Sequence, residues 1–113
     1  HIVIAPHIQD FVSRLILSTH AGSEHAPDWV SESIQIGASP RAAQTIVASA
    51  KVASVVDGRF AVSKRDIDAV AVSALQHRIV RTFESQTAND DPATIVNRLL
   101  HEVPYFMEYS LDG

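Results

Sequence analysis

Apolar residues recur at helical spacing in four stretches of the chain. Ile8, Phe11, Val12, Leu15 and Ile16 fall at i, i+3, i+4, i+7 and i+8, which predicts a first helix from about His7 to Thr19. Gln9, Asp10, Ser13 and Arg14 are expected on its solvated side, and Gly22 supplies a stop. The second helix has the sharpest boundaries. Ser39 is a good N-cap, Pro40 suits the first helical position, and Arg41 to Val56 runs on in Ala and Val until Asp57-Gly58. Ala43, Ile46, Val47, Ala50 and Ser54 make one face; Val52, Val55 and Val56 make a second patch near the end. Apolar residues on two sides predict a central helix covered by several neighbours.

The third helix starts at Ser63, where Ser63-Lys64-Arg65-Asp66 has the form of a capping box with Asp in place of Glu. Ile67, Val70, Ala71, Ala74 and Leu75 form its buried face. Short alternating runs flank it, Arg59-Phe60-Ala61-Val62 before and Arg78-Ile79-Val80-Arg81-Thr82 after, and a small pairing of these two is expected. The fourth helix opens on Asp91-Pro92, buries Ile95, Val96, Leu99, Leu100 and Val103, and stops at Pro104. Between Ser23 and Ala38 the pattern is weak. Pro27 and Gly37 punctuate it, Trp29, Val30, Ile34 and Ile36 are the expected core anchors, and Ile34-Gln35-Ile36 fits a short extended piece. The expected fold is mainly α, a bundle of four helices with a short two-stranded β pairing.

Composition narrows the class. At 113 residues, 46% apolar and 19% charged, the chain reads as one globular domain spanning residues 1–113. No apolar run approaches the ~18 residues of a membrane span. Cysteine is absent, which excludes disulfides, thiolate metal sites and cysteine nucleophiles and fits a reducing, cytoplasmic setting. Nine Lys and Arg against thirteen Asp and Glu give a net charge of −4, a poor balance for coating nucleic acid. No basic-plus-apolar leader opens the sequence. It begins at His1 without an initiator Met, so an excised piece of a longer protein is expected.

The oddest local choice is Arg41. It lies at the start of a helix, where the macrodipole makes a cation unfavourable by a few tenths to about 1 kcal/mol. Backbone N–H groups and a guanidinium together make a seat for a phosphate. A solvent-exposed Arg that tolerates the small penalty is the other reading, and the motif alone does not decide between them. Six histidines (His1, His7, His20, His25, His77 and His101) form no metal-binding spacing, and read as scattered surface or capping residues. His77-Arg78 closes the third helix, where a cation is favourable and can bond the last carbonyls. Lys64, Arg65, Arg78 and Arg81 invite a helix-turn-helix reading. Asp57, Asp66 and Asp68 beside them oppose it, and the Asp57–Val62 loop is longer than the usual turn. No nucleophile elbow and no phosphate-binding Gly-rich loop is present, so no complete active site is legible in this chain.

Taken in order, several short segments resemble the MoxR family of AAA+ ATPases. Gly37-Ala38-Ser39-Pro40-Arg41-Ala42 resembles the sensor-2 motif. Asp57-Gly58-Arg59 follows the long Ala/Val helix. Val62-Ser63-x-x-Asp66-Ile67 resembles a Val-Thr-x-x-Asp-Val helix start, and Leu75-x-His77-Arg78-Ile79-Val80 a Leu-x-His-Arg signature. Ile95 to Val103 with Pro104 resembles the closing helix. Leu15-Ile16 to Thr19-His20 resembles a Leu-x-x-x-Thr-Arg segment, with His20 where Arg is usual. The resemblance spans roughly residues 8 to 104, and related magnesium-chelatase-type lids share several of these motifs.

The resemblance implies the C-terminal helical lid of such an ATPase. In that reading Arg41 reaches the γ-phosphate of ATP, while Gly37, Ser39 and Pro40 shape the helix start. ATP and Mg²⁺ would be held mainly by an N-terminal AAA+ core domain of the same chain. A homo-hexamer, a von Willebrand factor A domain partner, and chaperone-like maturation of other proteins belong to the same implication. So does the absence of a catalytic residue in the lid alone; no nucleic-acid partner and no membrane span are expected, from the charge and the apolar run lengths given above. The alternative is a freestanding helical interaction module that uses Trp29 or Tyr105-Phe106 to hold a partner.

Overall fold

A computed structural model describes residues 2–105. The elements, in chain order, are α1 (Pro6–Ser18), α2 (Val30–Ser33), β1 (Ile34–Ile36), α3 (Arg41–Val56), α4 (Lys64–Leu75), β2 (Val80–Arg81), α5 (Phe83–Thr87) and α6 (Pro92–Glu102). The four long helices are those the apolar spacing predicts. α3 packs on α1 and α4, and α6 closes the bundle against α4 and α1. Phe11, Leu15, Val30, Ile34, Ile46, Ile67, Leu75, Val96 and Leu99 are sealed in one core.

Local chemistry sets the helix ends. Ser63 and Asp66 form the capping box of α4: Asp66 N–H donates to Ser63 Oγ, and Ser63 N–H donates to Asp66 Oδ2 at 2.8 Å. Asp91 caps α6 by accepting from the Ala93 N–H, with Pro92 just inside. α3 ends in a Schellman turn. Gly58 takes φ +74°, its N–H donates to Val55 O, and Arg59 N–H donates to Ser54 O. Asn89, at φ +62°, closes α5 by the same pattern of bonds, to Gln86 and Ser85.

Four expectations need correction. The β pairing joins β1 to β2, antiparallel, with Ile34 opposite Arg81 and Ile36 opposite Val80. The Arg59–Val62 run instead meets the start of the chain, through a parallel bridge of Val3 with Ala61. An alternating run signals an extended strand without saying which edge it meets; contacts across the core decide that. Ile36, expected as a core anchor, is 57% exposed: the register with β2 shifts between Ile34 and Ile36, which breaks the two-residue alternation, so Ile34 is buried while Gln35 and Ile36 are open. The second apolar patch of α3 is open as well. Val52, Val55 and Val56 face water, since α1 and α4 cover the opposite side of the helix.

The fourth correction concerns Arg14. It is buried, with Nη2 donating to the carbonyls of Pro104 at 3.1 Å and Tyr105 at 2.8 Å. These bonds fasten the chain where it leaves α6 back onto α1. Its Nε is also buried and has no hydrogen-bond partner among the described residues.

Candidate functional site

Arg41 is the first residue of α3 and is exposed. Its guanidinium makes no hydrogen bond or ion pair with any described residue. No carboxylate lies in the first turn of α3, so nothing local neutralises the charge. The helix start is built differently from the sequence expectation. Pro40 already has helical torsions (φ −57°, ψ −25°), the turn is closed by Ala42 N–H on Ser39 O and Ala43 N–H on Pro40 O, and no side chain caps it. The Ser39 hydroxyl is therefore not the cap its position suggested. Pro40 fixes φ and carries no N–H, which leaves the first turn pre-set without a capping oxygen in the way of an anion.

The segment before Arg41 is held from α1. Ala38 is fully buried, and both polar groups of its backbone are taken. Its N–H donates to Thr19 Oγ1 at 3.0 Å, and Thr19 Oγ1 in turn donates to Ile16 O at 2.6 Å. The Ala38 carbonyl lies 2.6 Å from His20 Nε2. A carbonyl only accepts, so Nε2 carries the proton and donates. Gly37 makes the approach possible. A Cβ there would lie 2.5 Å from Thr19 O and 2.8 Å from Thr19 Oγ1, a space no side chain fits. Thr19 and His20 are the residues that motif reading passed over as site residues. Their signal was the Leu-x-x-x-Thr-Arg resemblance, which marked the segment without assigning it a job.

A second constellation joins the end of α3 to the start of α4. Arg59 forms a two-toothed pair with Asp66, Nη1 to Oδ2 at 2.8 Å and Nη2 to Oδ1 at 2.5 Å, and its Nη2 also reaches Asp57 at 2.9 Å. Asp66 is almost wholly buried, and Ser63 also donates to it from both N–H and hydroxyl. The Arg59 hydrogen bonds, helped by Ser63 and opposed by burial, hold the Asp66 carboxyl down at about 2. The same contacts raise Arg59 above its ordinary value, Asp66 first and Asp57 second. Two segments that carry the resemblance separately, Asp57-Gly58-Arg59 and Ser63-x-x-Asp66, are thus one ion-pair lock.

Several of the remaining candidates are taken up by the fold. Trp29 Nε1 donates to Glu102 Oε1 at 3.0 Å, and the Arg98 guanidinium stacks 4.1 Å from the indole centroid while its Nε bonds Glu102 Oε2. The bond from Trp29, then that from Arg98, lowers the Glu102 carboxyl below its usual range. Tyr105 packs edge-on against Phe11 and His7. Both described anchors of the interaction-module alternative therefore serve the domain itself; Phe106 lies outside the described residues, as does His1. Arg78 donates from Nη1 to Ala74 O, the helix-terminus role expected of it. Lys64 is paired with Asp68. No helix among the described residues is long and apolar enough to cross a membrane.

Comparison with known proteins agrees with this architecture. Residues 27–99 match the AAA lid domain family, and the chain belongs to it, as the lid of a MoxR-type AAA+ ATPase. The chain is 32% identical over 94 residues to a Mycobacterium tuberculosis protein named chaperone MoxR1, a match covering 83% of this chain and 25% of that protein. It also superposes, with a TM-score of 0.85 and 26% identity, on the crystal structure of a Cytophaga hutchinsonii protein assigned as an ATPase by inference. That match covers 91% of this chain and 31% of the other. The chain thus spans about a quarter to a third of the relatives it matches.

Proposed function

We propose that this lid reads the nucleotide state of an AAA+ core through Arg41. The observation that carries the reading is an exposed guanidinium, set against the field of its own helix, with no protein partner among the described residues. A terminal phosphate supplies what is missing there: charge-assisted hydrogen bonds to the guanidinium and negative charge at the positive end of the α3 dipole. ATP supplies that phosphate, and with Mg²⁺ it would be held mainly by the core domain. Of the lid's own residues, Arg41 donates to the γ-phosphate oxygens. Gly37 and Pro40 fix where the helix starts, and Ser39 gives the carbonyl that closes the first turn. Loss of the γ-phosphate removes those bonds and frees the lid to move, a hinge-type switch that couples hydrolysis to work on a partner protein.

In this reading residues 1–113 form a single lid domain, the chain is part of a longer ATPase, and the lid alone hydrolyses nothing. The intact protein works as a homo-hexamer in the cytoplasm, in chaperone-like remodelling or maturation of partners that include von Willebrand factor A domain proteins. The name of the M. tuberculosis relative supports the chaperone reading. The test is Arg41→Ala in the intact ATPase. ATP turnover should fall at least tenfold while the stability of the lid stays within about 0.5 kcal/mol, as for an exposed surface change. Undiminished turnover in that variant removes the reading.

A further inference from the structure

The end of α1 and the start of α3 meet at one peptide unit, and that junction governs where Arg41 points. Ala38 lies three residues before Arg41, and Pro40 between them has no freedom in φ. Thr19 takes the Ala38 N–H, His20 gives a proton to the Ala38 carbonyl, and Gly37 lets the two backbones touch. Thr19 is itself fixed, fully buried and bonded to Ile16 O. His20 is different. It is exposed, follows the end of α1, and has no place in the core, yet its ring makes a short bond to a buried residue. It closes the second half of a clamp around the only buried residue between Gly37 and Arg41.

We infer that Thr19 and His20 are positioning residues for Arg41: they fix the Ala38 peptide so that the α3 helix start, and with it the guanidinium, is presented in one orientation. The inference rests on the phosphate-reading role proposed for Arg41 and names the device that aims it. The physical case is that of any pre-organised charge. An Arg side chain already has many rotamers, and a helix start that also wanders spreads the charge over more positions; a displacement of about 1 Å at such a group can cost up to about 10²-fold in rate. The position after Thr19 needs a donor long enough to reach Ala38 O. His20 Nε2 meets that requirement with a neutral or a charged ring.

The experiment uses the intact ATPase and compares His20→Ala, His20→Gln, Thr19→Ser and Arg41→Ala with the double variant His20→Ala/Arg41→Ala. The expected result is a fall of about tenfold in kcat for His20→Ala, measured well below its unfolding midpoint, with only the small stability loss of one part-buried hydrogen bond. His20→Gln, which keeps a donor, and Thr19→Ser, which keeps the hydroxyl, should stay within about threefold of the parent. In the Arg41→Ala background, His20→Ala should have no further effect, since nothing is left to aim. Three results overturn the inference: full activity of His20→Ala, the same fold-loss with and without Arg41, or no recovery with Gln. Its failure differs from failure of the phosphate reading, which shows as an active Arg41→Ala whatever the His20 variants do.

Discussion

Replacing Asp66 by Asn removes one charge from the lock between α3 and α4 and leaves the side chain's shape in place. The folded carboxyl sits at about 2 against an ordinary value of 3.8. At about 1.36 kcal/mol for each tenfold change in proton affinity, that gap favours the folded state by roughly 2 kcal/mol at neutral pH. Water reaches one side of the pair, since the Arg59 side chain is 39% exposed, so screening brings the expected loss nearer to about 1 kcal/mol. The sign with pH follows from the depressed value. The contribution is whole above the unfolded value and is lost as pH falls through 3.8 towards 2. Urea titration of the chain at pH 7 and at pH 3 checks this. With a slope of about 1.5 kcal/mol/M, Asp66→Asn should move the pH 7 midpoint down by about 0.7 M, and the gap between variant and parent should shrink by about half at pH 3. Coincident midpoints at pH 7, or a gap that does not change on acidification, would refute the reasoning.

Two further substitutions probe the joints described above. Gly37→Ala places a methyl group 2.5 Å from the Thr19 carbonyl oxygen, a backbone atom that cannot swing aside, so a loss of about 2 kcal/mol or more is expected in thermal unfolding. An unchanged Tm would show that the α1–α3 junction is looser than the structure has it. Arg14→Met keeps the buried stem and deletes the bonds to Pro104 and Tyr105, so amide exchange just past α6 should rise about tenfold or more while the protection of α3 is kept. Uniform exchange in both segments would argue against a local clasp.

The long helices were legible because their information is local. Ile8, Phe11, Val12, Leu15 and Ile16 repeat at a spacing only one helical face satisfies, and Ser63 and Asp66 announce their own bond three residues apart. Arg41 was legible as an anomaly for the same reason. Arg14 was not, because its polar spacing is correct for a solvent face and only the returning chain at Pro104 gives the guanidinium acceptors. The partner of Val80 was equally out of reach, since β1 lies more than forty residues earlier and carries only three residues of pattern. The clamp on Ala38 joins a threonine, a histidine and a glycine that no spacing rule connects. They meet because α1 ends where α3 begins, which is a property of the packed bundle.

The valines at the far end of α3 carry a consequence for how that helix comes apart. Val52, Val55 and Val56 favour extended backbone and are each more than half exposed, so their turns are weak in themselves. What keeps them wound is the reversal at Gly58 and the grip of Arg59 on Asp66 beyond it. Fraying should therefore start about 24 Å from Arg41, the length of a sixteen-residue helix. The turn that carries Arg41 lies at the opposite end of the rod from that weak segment.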